Sequence, residues 1–195
     1  SEELHLQQLN RLQNTNRVML ANARDGEVKT VYTDRDDAWI EVRFGFTEWI
    51  DKGNQFTYVS EREGWRQVYL VSREGEAVQK VTGGNYDVIR ALKIDEANQW
   101  LYFIASPHNA TQRYLYRVGL DGKNLIRLSP AEQIGSHSYS ISPDAKWAVH
   151  TFSSFAFPPI SSLIKLPSHE IVRTLEENQA LRDNLAELHR PKTEF

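Results

Sequence analysis

The sequence predicts an all-β chain of about four consecutive four-stranded β-propeller blades, ending in a short connector helix. Three observations carry that prediction. First, Gln67-Val68-Tyr69-Leu70-Val71-Ser72-Arg73-Glu74-Gly75, closing on Val81-Thr82, returns as Tyr114-Leu115-Tyr116-Arg117-Val118-Gly119-Leu120-Asp121-Gly122, closing on Leu128-Ser129. Tyr69 and Tyr116, Gly75 and Gly122, and Val81 and Leu128 are each 47 positions apart (116−69, 122−75, 128−81), and one propeller blade takes ~40 to 50 residues. Second, two kinds of polar turn recur in step with this spacing. Third, the strand Trp100 to Ala105 is apolar on both of its alternating faces, Trp100, Tyr102 and Ile104 against Leu101, Phe103 and Ala105, as expected where sheets stack face to face.

In chain order, the predicted units run approximately 4–42, 43–90, 91–135 and 136–174. One recurring turn reads Asp51-Lys52-Gly53-Asn54, then Asp95-Glu96-Ala97-Asn98, then Ser142-Pro143-Asp144-Ala145, with an aromatic opening the strand beyond it: Phe56, Trp100 and Trp147. Asp and Asn side chains bond to backbone two residues on, and Gly supplies positive φ. The other turn is Arg24-Asp25-Gly26-Glu27, Arg73-Glu74-Gly75-Glu76 and Leu120-Asp121-Gly122-Lys123, acid-Gly between apolar runs, which signals a hairpin. The first and last units follow the pattern least well, as terminal repeats do. After Thr174 the character changes: Leu181, Leu185 and Leu188 fall on one helical face, and Pro191 ends the segment. Residues 175–195 therefore read as a connector.

Composition narrows the function classes. Of 195 residues 40% are hydrophobic and 25% charged, with a net charge of −3, as in ordinary globular domains. Acidic and basic residues are interspersed, so nucleic acid is not an expected partner. No apolar run approaches the ~20 residues of a membrane span, and the first residues have no signal-peptide pattern. Cysteine is absent, which excludes disulfides and thiolate metal sites.

Chemistry-bearing motifs are nearly missing. There is no Gly-x-Ser-x-Gly elbow, and Ser153-Ser154 with Asp144 and His150 is better read as turn and surface residues than as a triad. The six histidines, His5, His108, His137, His150, His169 and His189, lack metal-ligand spacing. Gly83-Gly84 opens no phosphate-binding helix and reads as an inter-blade turn. No catalytic residue, metal or cofactor is expected. Phe152, Phe155, Phe157, Pro158 and Pro159 either line a surface pocket or cap the last blade, the cap being the favoured reading.

One ordered series of motifs goes further. Ser60-Glu61-Arg62-Glu63-Gly64-Trp65-Arg66-Gln67-Val68-Tyr69 resembles the Ser-Glu-Arg-(Asp/Glu)-Gly-(Trp/Tyr)-x-His-(Ile/Leu)-Tyr segment of dipeptidyl peptidase IV-type proteins of the prolyl oligopeptidase family. Thr82-Gly83-Gly84-Asn85-Tyr86-Asp87-Val88, Leu101-Tyr102-Phe103, Leu115-Tyr116, Leu120-Asp121-Gly122 and Leu128-Ser129 follow in that family's order, and Leu175 through Lys192 is similar to its connector between propeller and hydrolase domain. Gln67 stands where the family has His, and Tyr86 where it has Trp.

The resemblance implies the second half of an eight-bladed propeller, preceding an α/β-hydrolase domain whose Ser-Asp-His triad removes N-terminal dipeptides. The propeller would serve substrate gating and domain packing, with a peptide substrate and the hydrolase domain as partners. It also implies export, to the periplasm in bacteria. Trp39-Ile40-Glu41-Val42-Arg43-Phe44 is similar, with one extra residue, to an Arg-Phe step that walls the substrate pocket. Phe44, and behind it Arg43, are thus the candidate pocket residues, with packing of Phe44 between blades the competing reading. A stand-alone peptide- or protein-binding propeller is the alternative function. A half-ring alone would expose apolar faces and sheet edges, so self-association of two chains is expected of it.

Overall fold

The computed structural model describes residues 2–42 and 46–188. Among them the chain forms four antiparallel sheets, each a meander of consecutive strands. The first contains β1 (Glu3–Leu9), β2 (Thr15–Asn22) and β3 (Val28–Arg35). The second contains β4 (Trp49–Ile50), β5 (Gln55–Ser60), β6 (Gln67–Ser72) and β7 (Val78–Lys80). The third contains β8 (Val88–Asp95), β9 (Trp100–Ala105), β10 (Tyr114–Gly119) and β11 (Ile126–Arg127), and the fourth β12 (Ser136–Ile141), β13 (Trp147–Ser153), β14 (Ile160–Lys165) and β15 (Ile171–Glu176). One helix, α1 (Gln179–Ala186), follows.

The first sheet has three strands where four were expected. Its Asp25-Gly26 turn joins β2 to β3 as the Glu74-Gly75 turn joins β6 to β7. β1 to β3 therefore correspond to β5 to β7, and the counterpart of the short strand β4 is the one without an equivalent among the described residues.

Three apolar layers lie between four sheets. Val18, Leu20 and Val31 of the first sheet pack on Phe56, Tyr58 and Val71 of the second. Ile50, Val68 and Leu70 of the second pack on Leu101, Phe103, Tyr116 and Val118 of the third. Tyr102, Ile104 and Leu115 of the third meet Tyr139, Ala148 and Ile164 of the fourth. Strand β9 shows why its sequence is apolar throughout: Leu101, Phe103 and Ala105 enter one layer while Tyr102 and Ile104 enter the next. Alternation at period two delivers each set to a different sheet.

The 47-residue echo persists at the level of single hydrogen bonds. Val81 N–H donates to the Val68 carbonyl at 2.9 Å and Leu128 N–H to Leu115 at 2.8 Å; Gly75 N–H reaches Ser72 O and Gly122 N–H reaches Gly119 O, both at 2.8 Å. The hydroxyls of Thr82 and Ser129 accept from Val68 N–H at 2.8 Å and Leu115 N–H at 2.7 Å. Gly75 and Gly122 have φ of 79° and 80°. A Cβ on Gly75 would lie 1.8 Å from the Val31 carbonyl oxygen, and one on Gly122 3.2 Å from that of Lys80. Each glycine lets its turn approach the outer strand region of the preceding sheet, a reason beyond φ for the residue type.

Candidate functional site

Because each sheet is a meander, its connections alternate between two ends. The loops after β1, β5, β9 and β13 share one end with the segments that pass from sheet to sheet. Backbone bonds knit this end together: Asp36 N–H to Asn14 O at 3.1 Å, Ile40 N–H to Gln13 O at 2.7 Å, Val88 N–H to Arg66 O at 2.8 Å, and Arg113 N–H to Gly135 O at 3.1 Å. The opposite end carries only the short polar turns. The loop end is the candidate functional face.

A narrow charged cleft, with room for about one water molecule, lies there between segment 34–41 and the loop 59–66, lined by Asp34, Asp36, Trp39, Glu41, Ser60, Glu61, Arg62 and Arg66. Asp34 and Ser60 are buried, and the Ser60 hydroxyl donates to the Asp34 carboxylate at 2.7 Å. Burial holds the Asp34 carboxyl above its ordinary range, while the Ser60 bond and the Arg62 charge pull it back. Arg62 donates to the Tyr32 hydroxyl at 3.0 Å, and its guanidinium lies 5.9 Å from the ring centres of both Tyr32 and Tyr69. The Tyr32 phenol is pushed up to about 12, by burial first and the Asp34 charge second. Tyr32 is therefore a neutral hydrogen-bonding group near neutral pH.

Arg66 joins the two sides of the cleft. Its Nε and Nη2 donate to Glu61 Oε1 at 3.0 and 2.7 Å, and Nη2 reaches Glu41 Oε2 at 3.4 Å. Its backbone N–H donates to the Asp87 carboxylate at 2.8 Å. Arg66 also lines a second cleft with Phe46, Glu48, Val88, Ala91 and Leu92, between the innermost strands of the second and third sheets. Burial raises the Glu48 carboxyl there, Lys93 opposing and Glu96 adding to the shift. The sequence-predicted pair Arg43 and Phe44 lies outside the described residues. The residues flanking it, Glu41 and Phe46, line the first and second cleft respectively.

A third groove on this face runs between the third and fourth sheets, lined by Asn109, Thr111, Gln112, Ile134, Gly135, Ser153 and Phe155. Helix α1 starts beside it. Asn178 Nδ2 donates to the Pro159 carbonyl at 2.6 Å, and the Arg182 guanidinium lies 5.9 Å from the Phe157 ring. The aromatic cluster is thus divided: Phe155 borders the groove and Phe157 meets the helix.

The residues set aside as a triad do not assemble. The Ser154 hydroxyl accepts from Ala156 and Phe157 N–H, both at 3.2 Å, closing its own turn. Asp144 binds Ser142 and the Lys146 N–H in a turn of the opposite end. The two departures from the family pattern do meet: Gln67 Nε2 donates to the Tyr86 carbonyl at 2.7 Å, and its Oε1 accepts from Thr82 at 2.6 Å. Among the described residues no group of three or more His, Cys, Asp or Glu is placed to hold a metal ion. Sequence reading missed the bridging role of Arg66, and it missed the convergence of His137, His150 and His169. The β12–β13 register, with Tyr139 opposite His150, is the signal that brings the histidines together, and no local motif encodes it.

A profile of the Dipeptidyl peptidase IV (DPP IV) N-terminal region matches residues 1–159. Among curated relatives, dipeptidyl peptidase 4 of Trichophyton rubrum is 23% identical over 189 residues, 95% of this chain and 24% of the relative. Dipeptidyl peptidase 4 of Arthroderma otae is 25% identical over 190 residues, 95% of this chain and 24% of its own length. The crystal structure of Porphyromonas gingivalis dipeptidyl peptidase 4 superposes with a TM-score of 0.85 at 26% identity, covering 94% of this chain and 26% of that one. The chain thus spans about a quarter of the length of the proteins it matches.

Proposed function

The chain belongs to the dipeptidyl peptidase IV N-terminal region family, and from that premise we propose that it is the non-catalytic propeller portion of a serine-type dipeptidyl peptidase. Its task is to gate and shape the approach of a peptide to a hydrolase domain that follows in the parent protein. The observation that supports this reading most is the grouping on one face: two clefts, one lined by Glu41 and the other by Phe46, both bordered by Arg66, and helix α1 leaving from the same end. A connector departing there brings a following domain over the clefts. Phe44 supplies an apolar wall for the peptide beyond the cleaved residue and Arg43 a cationic neighbour. An exported, periplasmic setting belongs to the same proposal.

The test is kinetic and uses the full-length parent. Phe44→Ala should lower kcat/KM for an Xaa-Pro-anilide at least about tenfold, since a lost apolar contact of 1–3 kcal/mol corresponds to 10- to 200-fold. Gly26→Ala, on the opposite end, should leave the kinetics unchanged. Equal kinetics for Phe44→Ala and the unaltered enzyme would remove Phe44 from the pocket wall.

A further inference from the structure

The junction between the third and fourth sheets contains a polar cluster that the proposed function does not use. His137 and Tyr139 project from β12 and His150 from β13; His137 is 2% and His150 4% exposed. The His137 and His150 rings are nearly coplanar and meet edge to edge, with centres 5.1 Å apart and interplanar angle 10°, so that His137 Nδ1 lies 2.9 Å from His150 Nε2. The Tyr139 ring lies near-parallel to His150, with centres 4.6 Å apart, and 6.3 Å from the His137 ring. Its hydroxyl is 2.9 Å from Ser129 Oγ, at the edge of the third sheet, and 2.9 Å from His169 Nε2, in the turn after β14.

The partners fix the protons. His137 Nε2 lies 2.8 Å from the Gln133 carbonyl oxygen, which only accepts, so His137 carries its hydrogen on Nε2 and its Nδ1 is the bare acceptor. His150 must therefore donate from Nε2. A hydrogen chain of one direction also satisfies the other branch: Leu115 N–H to Ser129 Oγ, Ser129 O–H to Tyr139, and Tyr139 O–H to His169 Nε2. Every member is satisfied only while His137 is neutral. A second proton on His137 Nδ1 would point at the Nε2–H of His150 across 2.9 Å, converting a hydrogen bond into two opposed donors.

Among the described residues no nearby anion compensates His137 for a charge. Facing the cluster from the third sheet are Tyr114 and Arg127, whose guanidinium lies 3.6 Å from the Tyr114 ring centre. Beyond burial, the His169 and Arg127 charges oppose protonation of His137. From the segment before β12 comes Glu132, which favours the charged form of His169. On the turn after β14, Glu170 is paired with Lys165 at 3.1 Å.

We propose that the His137–His150 pair is an acid-sensitive latch: it docks the fourth sheet on the third while both rings are neutral, and releases that junction when His137 takes a second proton. Burial acts in the same sense, depressing His137 to about 4 and His150 to about 3. The junction therefore stays closed through the neutral range and opens only under distinctly acidic conditions.

The test is imidazole nitrogen NMR on the 195-residue chain across pH 7.5 to 3.5, read together with the backbone amides of β10, β12 and β13. Both rings should be Nε2–H tautomers at neutral pH, His137 should titrate well below 6.5, and the junction amides should change with it while those of β5 and β6 do not. An Nδ1–H tautomer for His137, titration near 6.5, or titration that leaves the junction amides unmoved would each overturn the latch. His137→Phe keeps a ring against Tyr114 and Phe152 but takes no proton. Its junction amides should lose their acid transition, whatever its overall stability; an unchanged transition would assign the effect to other groups.

Discussion

At the residue scale, the three glycines of the recurring acid-Gly turn hold it for different reasons. Gly26, Gly75 and Gly122 share φ near +80°, which costs a side chain about 1–2 kcal/mol. Gly26 has nothing within 4 Å of an added Cβ, whereas Gly75 faces the Val31 carbonyl. We expect Gly26→Ala to cost about 1 kcal/mol, Gly122→Ala slightly more, and Gly75→Ala at least about 3 kcal/mol as backbone must move. Urea midpoints at constant m would measure the order, and equal costs would mean that φ alone matters. The hydroxyls of Thr82 and Ser129 offer a second graded pair. Thr82→Val and Ser129→Ala each strand a buried backbone N–H, Val68 or Leu115, so each should cost about 1–3 kcal/mol in the same denaturation series.

At the element scale, what was readable depended on locality. The hairpin turns and the two-faced strand β9 were legible because acid-Gly turns and period-two alternation are encoded within a few residues. The 47-residue echo gave the blade repeat, and the structure carries it down to equivalent hydrogen bonds, Val81 to Val68 and Leu128 to Leu115. The three-stranded first sheet was not legible, since β1 to β3 match a blade's later strands and only the turn correspondence reveals it. Nor were the ties made by Arg66 to Glu41, 25 positions away, or by Tyr139 to His169, 30 away. Such contacts depend on how separate loops are brought together.

The buried histidines of the fourth sheet lead us to expect a pH-dependent stability. His137 and His150 have folded pKa values of about 4 and about 3, against about 6.5 unfolded. Between those limits the unfolded chain binds more protons, so stability is full above pH 6.5 and falls as pH drops toward 4 and 3. Thermal unfolding of the chain should move to lower temperature from pH 7 to pH 4, with a shallower slope for His150→Gln. A Tm that rises on acidification would reverse the sign and refute the assignment.

At the scale of the whole molecule, three apolar layers are closed and two outer sheet faces are not. Leu4 and Leu6 on β1, and Ile171, Val172 and Leu175 on β15, are exposed. We expect the 195-residue chain alone to associate through these faces, giving a dimer mass by light scattering at high concentration, whereas a monomer at all concentrations would oppose it. The charged clefts and α1 converge on one end, and the proposed function places the chemistry in a separate domain.

That division of labour is tested most directly by challenging the purified chain and its full-length parent with an Xaa-Pro-anilide and a fluorophosphonate probe. Turnover and labelling are expected in the parent, and neither in the 195-residue chain. Hydrolysis or labelling by the pure chain, or an intact parent that removes no dipeptide, would contradict it.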